Sequence, residues 1–217
     1  MKRIVSLLLL AALVLSLCAC GKKPAETVTV STAPAAAPTE ALAPAPAPET
    51  EPAAEPAAEE APANTTLVVF FSATGTTRGV AEQIAALTGA DLAEIVPAQP
   101  YTAEDLNYND RSTRATVEQN TPDARPEIAS EISLDGYTLV YLGYPIWWGQ
   151  APRILSTFVE SHDFTGITVI PFCTSGGSGA GRTGETLGEQ AGTGTFLAST
   201  RLSAGISDAD LQTWIDR

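Results

Sequence analysis

The run Leu67-Val68-Val69-Phe70-Phe71 does most to decide what this chain can fold into. Apolar residues without alternation describe a strand covered on both faces, and such strands belong to parallel sheets flanked by helices. From Thr77 the period changes. Val80, Ile84 and Leu87 fall at i, i+4 and i+7 before Gly89, which predicts a helix with a glycine stop. A second short strand is expected over residues 91–96 and a third over residues 138–143. Helix, strand and helix recur over residues 152–160, 167–174 and 183–191, and a weaker strand over residues 196–202 follows. Ser207 and Asp210 then stand at capping distance at the start of a last helix, which buries Leu211, Trp214 and Ile215. Five strands alternating with helices give an α/β domain: a parallel sheet with helices on both faces.

Ligands of such sheets lie beyond the carboxyl ends of the strands, so the segments that follow them carry the functional information. After the first strand comes Ser72-Ala73-Thr74-Gly75-Thr76-Thr77. Its glycine allows close backbone approach, its hydroxyls donate hydrogen bonds, and the helix that follows offers unpaired N–H groups. A phosphate can be held there without a counter-cation. After the third strand comes Gly143-Tyr144-Pro145-Ile146-Trp147-Trp148-Gly149. An aromatic face at that edge can stack on a flat ring, and one of two adjacent tryptophans can equally pack against the next helix. After the fourth comes Thr174-Ser175-Gly176-Gly177-Ser178-Gly179, a loop that presents backbone rather than side chains. Taken singly these are a common helix cap, a packing pair and a flexible connector. Together they describe a site for a phosphorylated planar molecule.

In these residues the sequence resembles the flavodoxin family. Ser72-x-Thr74-Gly75-x-Thr77 is similar to that family's phosphate-loop pattern, and the other two loops follow in matching order and spacing. The resemblance covers nearly all of residues 66–217. It implies a flavodoxin-like three-layer sandwich, with a five-stranded parallel sheet of order 2-1-3-4-5, and bound flavin mononucleotide (FMN). The phosphate would then meet Ser72, Thr74, Gly75, Thr76 and Thr77. The ring would meet Pro145, Ile146, Trp147, Trp148 and Gly149, and the third loop would add Thr174, Ser175, Gly176, Gly177 and Gly179. Trp148 fits the family's stacking position better because glycine follows it, and the backbone near Gly149 would reach the flavin N5. Pro-x-Trp-Trp also resembles the flavin loop of flavin-dependent quinone reductases.

Ahead of this domain, residues 1–20 read MKRIVSLLLLAALVLSLCAC, a cationic start and an apolar stretch that predict a secretory signal. Leu17-Cys18-Ala19-Cys20 resembles a bacterial lipoprotein cleavage site, with Cys20 as the lipid-bearing residue. An ordinary secreted protein or an uncleaved anchor is the alternative. Residues 21–65 hold 15 Ala, 9 Pro and 7 Glu and no aromatic, a composition that predicts a disordered tether. At about 3.1 Å per residue its greatest reach is on the order of 140 Å. The expected location is therefore extracytoplasmic, with the domain leashed to the cell membrane through Cys20.

The domain holds 18 Asp and Glu against 8 Arg and no Lys, a formal charge of −10. Nucleic acid and anionic membrane surfaces are poor partners for it; redox partner proteins or small quinone-like oxidants fit better. Three functional readings follow: a one-electron carrier, favoured by the expected location; an FMN-dependent NAD(P)H or quinone oxidoreductase; and a binding module that has lost the flavin. The segment over residues 97–137, with Tyr101, Tyr108, Arg111 and Arg114, is either a crossover or a lid over the site. No catalytic side chain and no metal site are expected. His162, the one histidine, has no Cys or His neighbour in sequence, and no GxSxG motif is present. Arg78 is expected to face solvent, and Cys173 to be a small buried residue.

Overall fold

The computed structural model describes residues 64–217. The expected signal with Cys20, and the tether up to residue 63, lie outside the described residues. In chain order the elements are β1 (Thr66–Phe70), α1 (Thr76–Thr88), β2 (Asp91–Glu94), α2 (Arg114–Asn120), β3 (Leu139–Pro145) and α3 (Arg153–Glu160). They continue with β4 (Thr168–Thr174), α4 (Thr183–Ala191), β5 (Thr195–Phe196), β6 (Thr200–Arg201) and α5 (Asp208–Ile215). Every pairing between these strands is parallel and the order is β2-β1-β3-β4-β5, with β6 also on β4. This is the flavodoxin-like order that the sequence implies.

The apolar run of β1 explains the three layers. Leu67, Val69 and Phe71 enter one core with Leu142, Leu155 and Leu187, while Val68 and Phe70 enter a second with Ile84, Leu211 and Trp214. Successive side chains of a strand point to opposite faces, so one unbroken apolar segment serves both cores. Helices α3 and α4 cover the first face, and α1 and α5 the second. Ser207 accepts a bond from the Asp210 N–H at 3.2 Å, capping α5 at the expected spacing.

The last strand differs from the single segment expected over residues 196–202. It is split into β5 and β6, and from Phe196 to Thr200 it advances four residues while β4 advances three, from Val169 to Phe172. One residue too many leaves the ladder, as in a bulge. Helix α4 lies directly on this break: a Cβ at Gly184 would stand 2.7 Å from the Leu197 carbonyl oxygen. The buried Tyr144 hydroxyl donates across it to Ser199 Oγ at 3.0 Å.

Gly143, in the middle of β3, is set by its neighbour. A Cβ there would lie 2.3 Å from Phe172 Cζ, and that ring is fully buried against Trp214. Gly143→Ala is expected to destabilise the domain by about 1–3 kcal/mol in urea unfolding, with part of the loss recovered by adding Phe172→Leu. An unchanged midpoint for Gly143→Ala would show that the ring moves aside freely.

Candidate functional site

Parallel register brings three segments to one edge. Phe70 pairs with Gly143, Gly143 with Phe172, and Pro145 with Thr174. The chain beyond β1, β3 and β4 therefore leaves the sheet together. Between these segments lies a groove of about 440 Å³.

Its first wall is the turn into α1. Gly75 takes φ +87° at the helix N-cap, a conformation that side-chain-bearing residues resist, and no side chain caps the helix. The first-turn N–H groups thus have no intrahelical partner and face outward with the positive end of the helix dipole. Ser72 Oγ is buried at the same wall and has no hydrogen-bond partner. Ser72, Thr74, Thr76 and Thr77 all line the groove, with Ala73 between them. Thr77 turns its hydroxyl inward to Thr174 Oγ1 at 2.9 Å, both residues being buried, and this bond ties the phosphate-type turn to the end of β4. Arg78 is held by Glu94 at 2.6 Å, so it leaves the groove to neutral donors.

The second wall separates the two tryptophans. Trp147 is 4% exposed and packs edge-on against Phe71 and Tyr101, with centroids 5.6 and 5.1 Å away. It lines the groove with Pro145 and Ile146. Trp148 is 38% exposed; it does not line the groove, and its ring lies against Tyr108, which does. Trp147 and Gln150 exchange two backbone bonds of 2.9 Å, leaving Trp148 and Gly149 as the central pair of a tight turn. Their φ values are +47° and +76°, as mirror-image hairpin turns require. Trp148 is the sole non-glycine residue at positive φ among the described residues, and a bulky side chain there is strained.

The turn is held from behind by a residue that sequence reasoning did not single out. Gln119 on α2, 3% exposed, donates its amide to Ala151 O at 2.9 Å and Trp147 O at 3.3 Å. The same crossover places Leu106 and Tyr108 in the groove wall. Tyr101 donates to Glu118 at 2.5 Å beneath the Arg114 guanidinium. Burial, with that bond, pushes its hydroxyl well above the usual tyrosine range, so it stays neutral behind Trp147.

The third wall is Thr174, Ser175 and Gly176, faced by Ala204, which the sequence did not suggest. Ser175 Oγ donates to Ser178 O, and Arg201 donates to Ser175 O at 3.1 Å, so the glycine-rich loop is pinned on both sides. Gly177 and Gly179 do not line the groove, and Gly149 lines a different cavity. Cys173 is buried, and burial pushes its thiol up, which keeps it protonated and unreactive. Both ring nitrogens of His162 lie against backbone carbonyl oxygens, of Phe158 and Ile132, at 2.7 and 3.0 Å. Among the described residues no cluster of His, Cys, Asp and Glu could hold a metal ion.

The groove therefore joins an uncapped helix terminus and an orphaned hydroxyl, suited to a phosphate, with an aromatic wall suited to a ring. The model of the family described as Flavodoxin matches residues 65–217. Among solved structures, a protein assigned as a flavoprotein from Bacteroides eggerthii DSM 20697 is 42% identical, with a TM-score of 0.66, over 70% of this chain and 96% of its own. One so assigned from Bacteroides uniformis ATCC 8492 is 41% identical, with a TM-score of 0.67, over 71% and 99%. A flavoprotein from Lactobacillus acidophilus NCFM, solved in complex with FMN, shares the fold at 22% identity and a TM-score of 0.52, over 70% and 99%. No curated protein matches the chain. The match over 65–217 and the parallel order β2-β1-β3-β4-β5 make this chain a member of the flavodoxin family.

Proposed function

We propose that this protein binds FMN in the groove and passes electrons between redox partners, tethered by a lipid on Cys20 to the outer face of the cytoplasmic membrane. The observation that carries the flavin assignment is the buried, partnerless Ser72 hydroxyl beside an uncapped helix terminus. A buried hydroxyl without a partner is unfavourable by about 1–3 kcal/mol, and a phosphate oxygen would satisfy it together with the first-turn N–H groups. The expected signal, Cys20 and the charge of −10 support the tethered placement and docking on basic partner surfaces.

Once bound, FMN supplies one- and two-electron transfer. The chain's own residues hold and shape it. Ser72, Thr74 and Thr76 would hold its phosphate. Ile146 and Trp147 would keep water from the ring, and Tyr108, backed by Trp148, adds an aromatic wall to the groove. Apolar walls in a domain of formal charge −10 would disfavour added negative charge on the ring, which lowers its potential.

Titration of flavin fluorescence against the protein is expected to saturate at one FMN per chain, with Thr74→Ala weakening binding about tenfold through one lost bond to an anionic oxygen. No saturable quenching by the folded protein would remove the flavin assignment. Trp148→Gly should act in opposite directions on two measurements. Relief of the positive-φ strain raises the flavin-free unfolding free energy by about 1 kcal/mol, while loss of the ring removes the packing partner of groove-lining Tyr108 and so weakens FMN binding. A Trp148→Gly protein that is less stable without flavin would contradict the strain assigned to this turn. The carrier role is tested by photoreduction, which should accumulate one-electron-reduced flavin with negligible turnover. Rapid reduction by a nicotinamide donor followed by turnover with a quinone would instead make the protein a reductase.

A further inference from the structure

A second cavity, of about 210 Å³, opens between α3 and α4 behind the aromatic turn, and it is lined by arginines where the groove has none. Its walls include Arg153, Arg182 and Gln190, and none of its lining residues is Asp or Glu. The domain has 8 arginines in all, and two of them line this one cavity. Arg182 lies at the surface and is shared with Glu185 and Glu189. Arg153 is different: it is partly buried and makes no ion pair among the described residues. One of its terminal nitrogens donates to Gln119 O at 3.0 Å, while its Nε is fully enclosed and has no partner.

A guanidinium removed from water without a counter-ion is unfavourable, and an enclosed N–H donor without an acceptor adds to that. The opposite wall repeats the pattern, since Gln190 Oε1 is also enclosed and unpartnered. A half-turn of that amide presents an N–H to the same space. Leu187 and Ala151 supply an apolar side. We infer that the cavity between α3 and α4 is a binding site for a small organic carboxylate, held by Arg153 and Gln190, with its short apolar body against Leu187 and Ala151.

One uncompensated cation and a partly apolar wall suit a monoanion with a carbon tail better than a doubly charged phosphate. Gly149 and Ala151 belong to both the cavity wall and the turn that bears Trp148, so the bound anion would touch the back of that turn. The inference does not depend on the flavin, because no residue that it uses lines the groove.

The test is a titration of the isotope-labelled full-length protein with sodium propionate, followed by the Arg153 Nε–H resonance and the backbone amides of Gly149 and Ala151. It is run without and with FMN, so that a failure of flavin binding is seen separately. Saturable shifts of all three resonances are expected, at least tenfold weaker with propionamide, which keeps the shape and lacks the charge. Arg153→Gln should abolish the response. Because that change also removes the bond to Gln119, Gln190→Leu serves as a second variant and should weaken binding severalfold with the Arg153 resonance in place. An Arg153 resonance that never moves, or equal responses to propionate and propionamide, would reduce the cavity to a hydrated hollow and overturn the proposal. A tighter response to inorganic phosphate than to propionate would overturn the carboxylate assignment.

Discussion

The parallel pairing of β3 between β1 and β4 is the constraint from which the rest of the molecule follows. Because Phe70, Gly143 and Phe172 share one register row, the three chains turn out of the sheet at one level. In a parallel sheet the successive turns at this edge belong to segments far apart in sequence, so their alignment depends on sheet packing. That packing is close enough that β3 carries glycine where Phe172 crosses it. One bond then fixes the edge: Thr77, in the first turn of α1, meets Thr174, the last residue of β4. A hydroxyl pair buried at that depth ties the first wall of the groove to the third without placing a charge between them.

How much of this could be read beforehand depended on the range of the interactions. β1, α1 and the α5 cap follow from periodicity and local bonding within a few residues, and the turn from Ser72 to Thr77 shows itself by composition. The split between β5 and β6 is invisible in residues 196–202, because it arises where Gly184 lets α4 press on the Leu197 backbone. Gln119 was equally hidden. A glutamine in a seven-residue helix reads as surface, and only the tertiary fold buries its amide against the Trp147 and Ala151 carbonyls. The two tryptophans, adjacent and chemically identical, were separated by packing alone: Phe71 and Tyr101 enclose Trp147, and positive φ throws Trp148 outward. The hairpin they form was missed because its central pair is Trp-Gly, where Asn-Gly would have signalled it. Leu106 and Tyr108 line the groove from a long crossover whose path no local pattern specifies.

Three of the arginines are held by carboxylates, and no charged side chain lines the groove. Arg78 is paired with Glu94, Arg114 with Glu118 and Arg125 with Glu160, each at 2.6 to 2.7 Å. The groove is left with hydroxyls, backbone donors and aromatic rings. Such a groove can hold an anion through oriented dipoles, which cost little to desolvate, and Arg201 beside it is turned to the Ser175 carbonyl. Arg153, which makes no ion pair among the described residues, lies on the other side of the turn.

The turn from Trp147 to Ala151 therefore separates two unlike environments. Its front residue Trp147 faces a neutral groove, while Gly149, Gln150 and Ala151 face a cavity containing an unpaired guanidinium. The turn is held by its own pair of backbone bonds, by the packing of Trp147 on Phe71 and Tyr101 and by the Gln119 amide at its ends, against the strain of Trp148 at its tip. Gln119 and Arg153 are themselves joined, since Arg153 donates to the Gln119 carbonyl. A ligand on Arg153 would thus meet the turn by two short routes, through the shared wall at Ala151 and through the Gln119 backbone. Any coupling through this strained segment must act equally in both directions. Occupancy of the groove would then alter the cavity as much as occupancy of the cavity alters the groove.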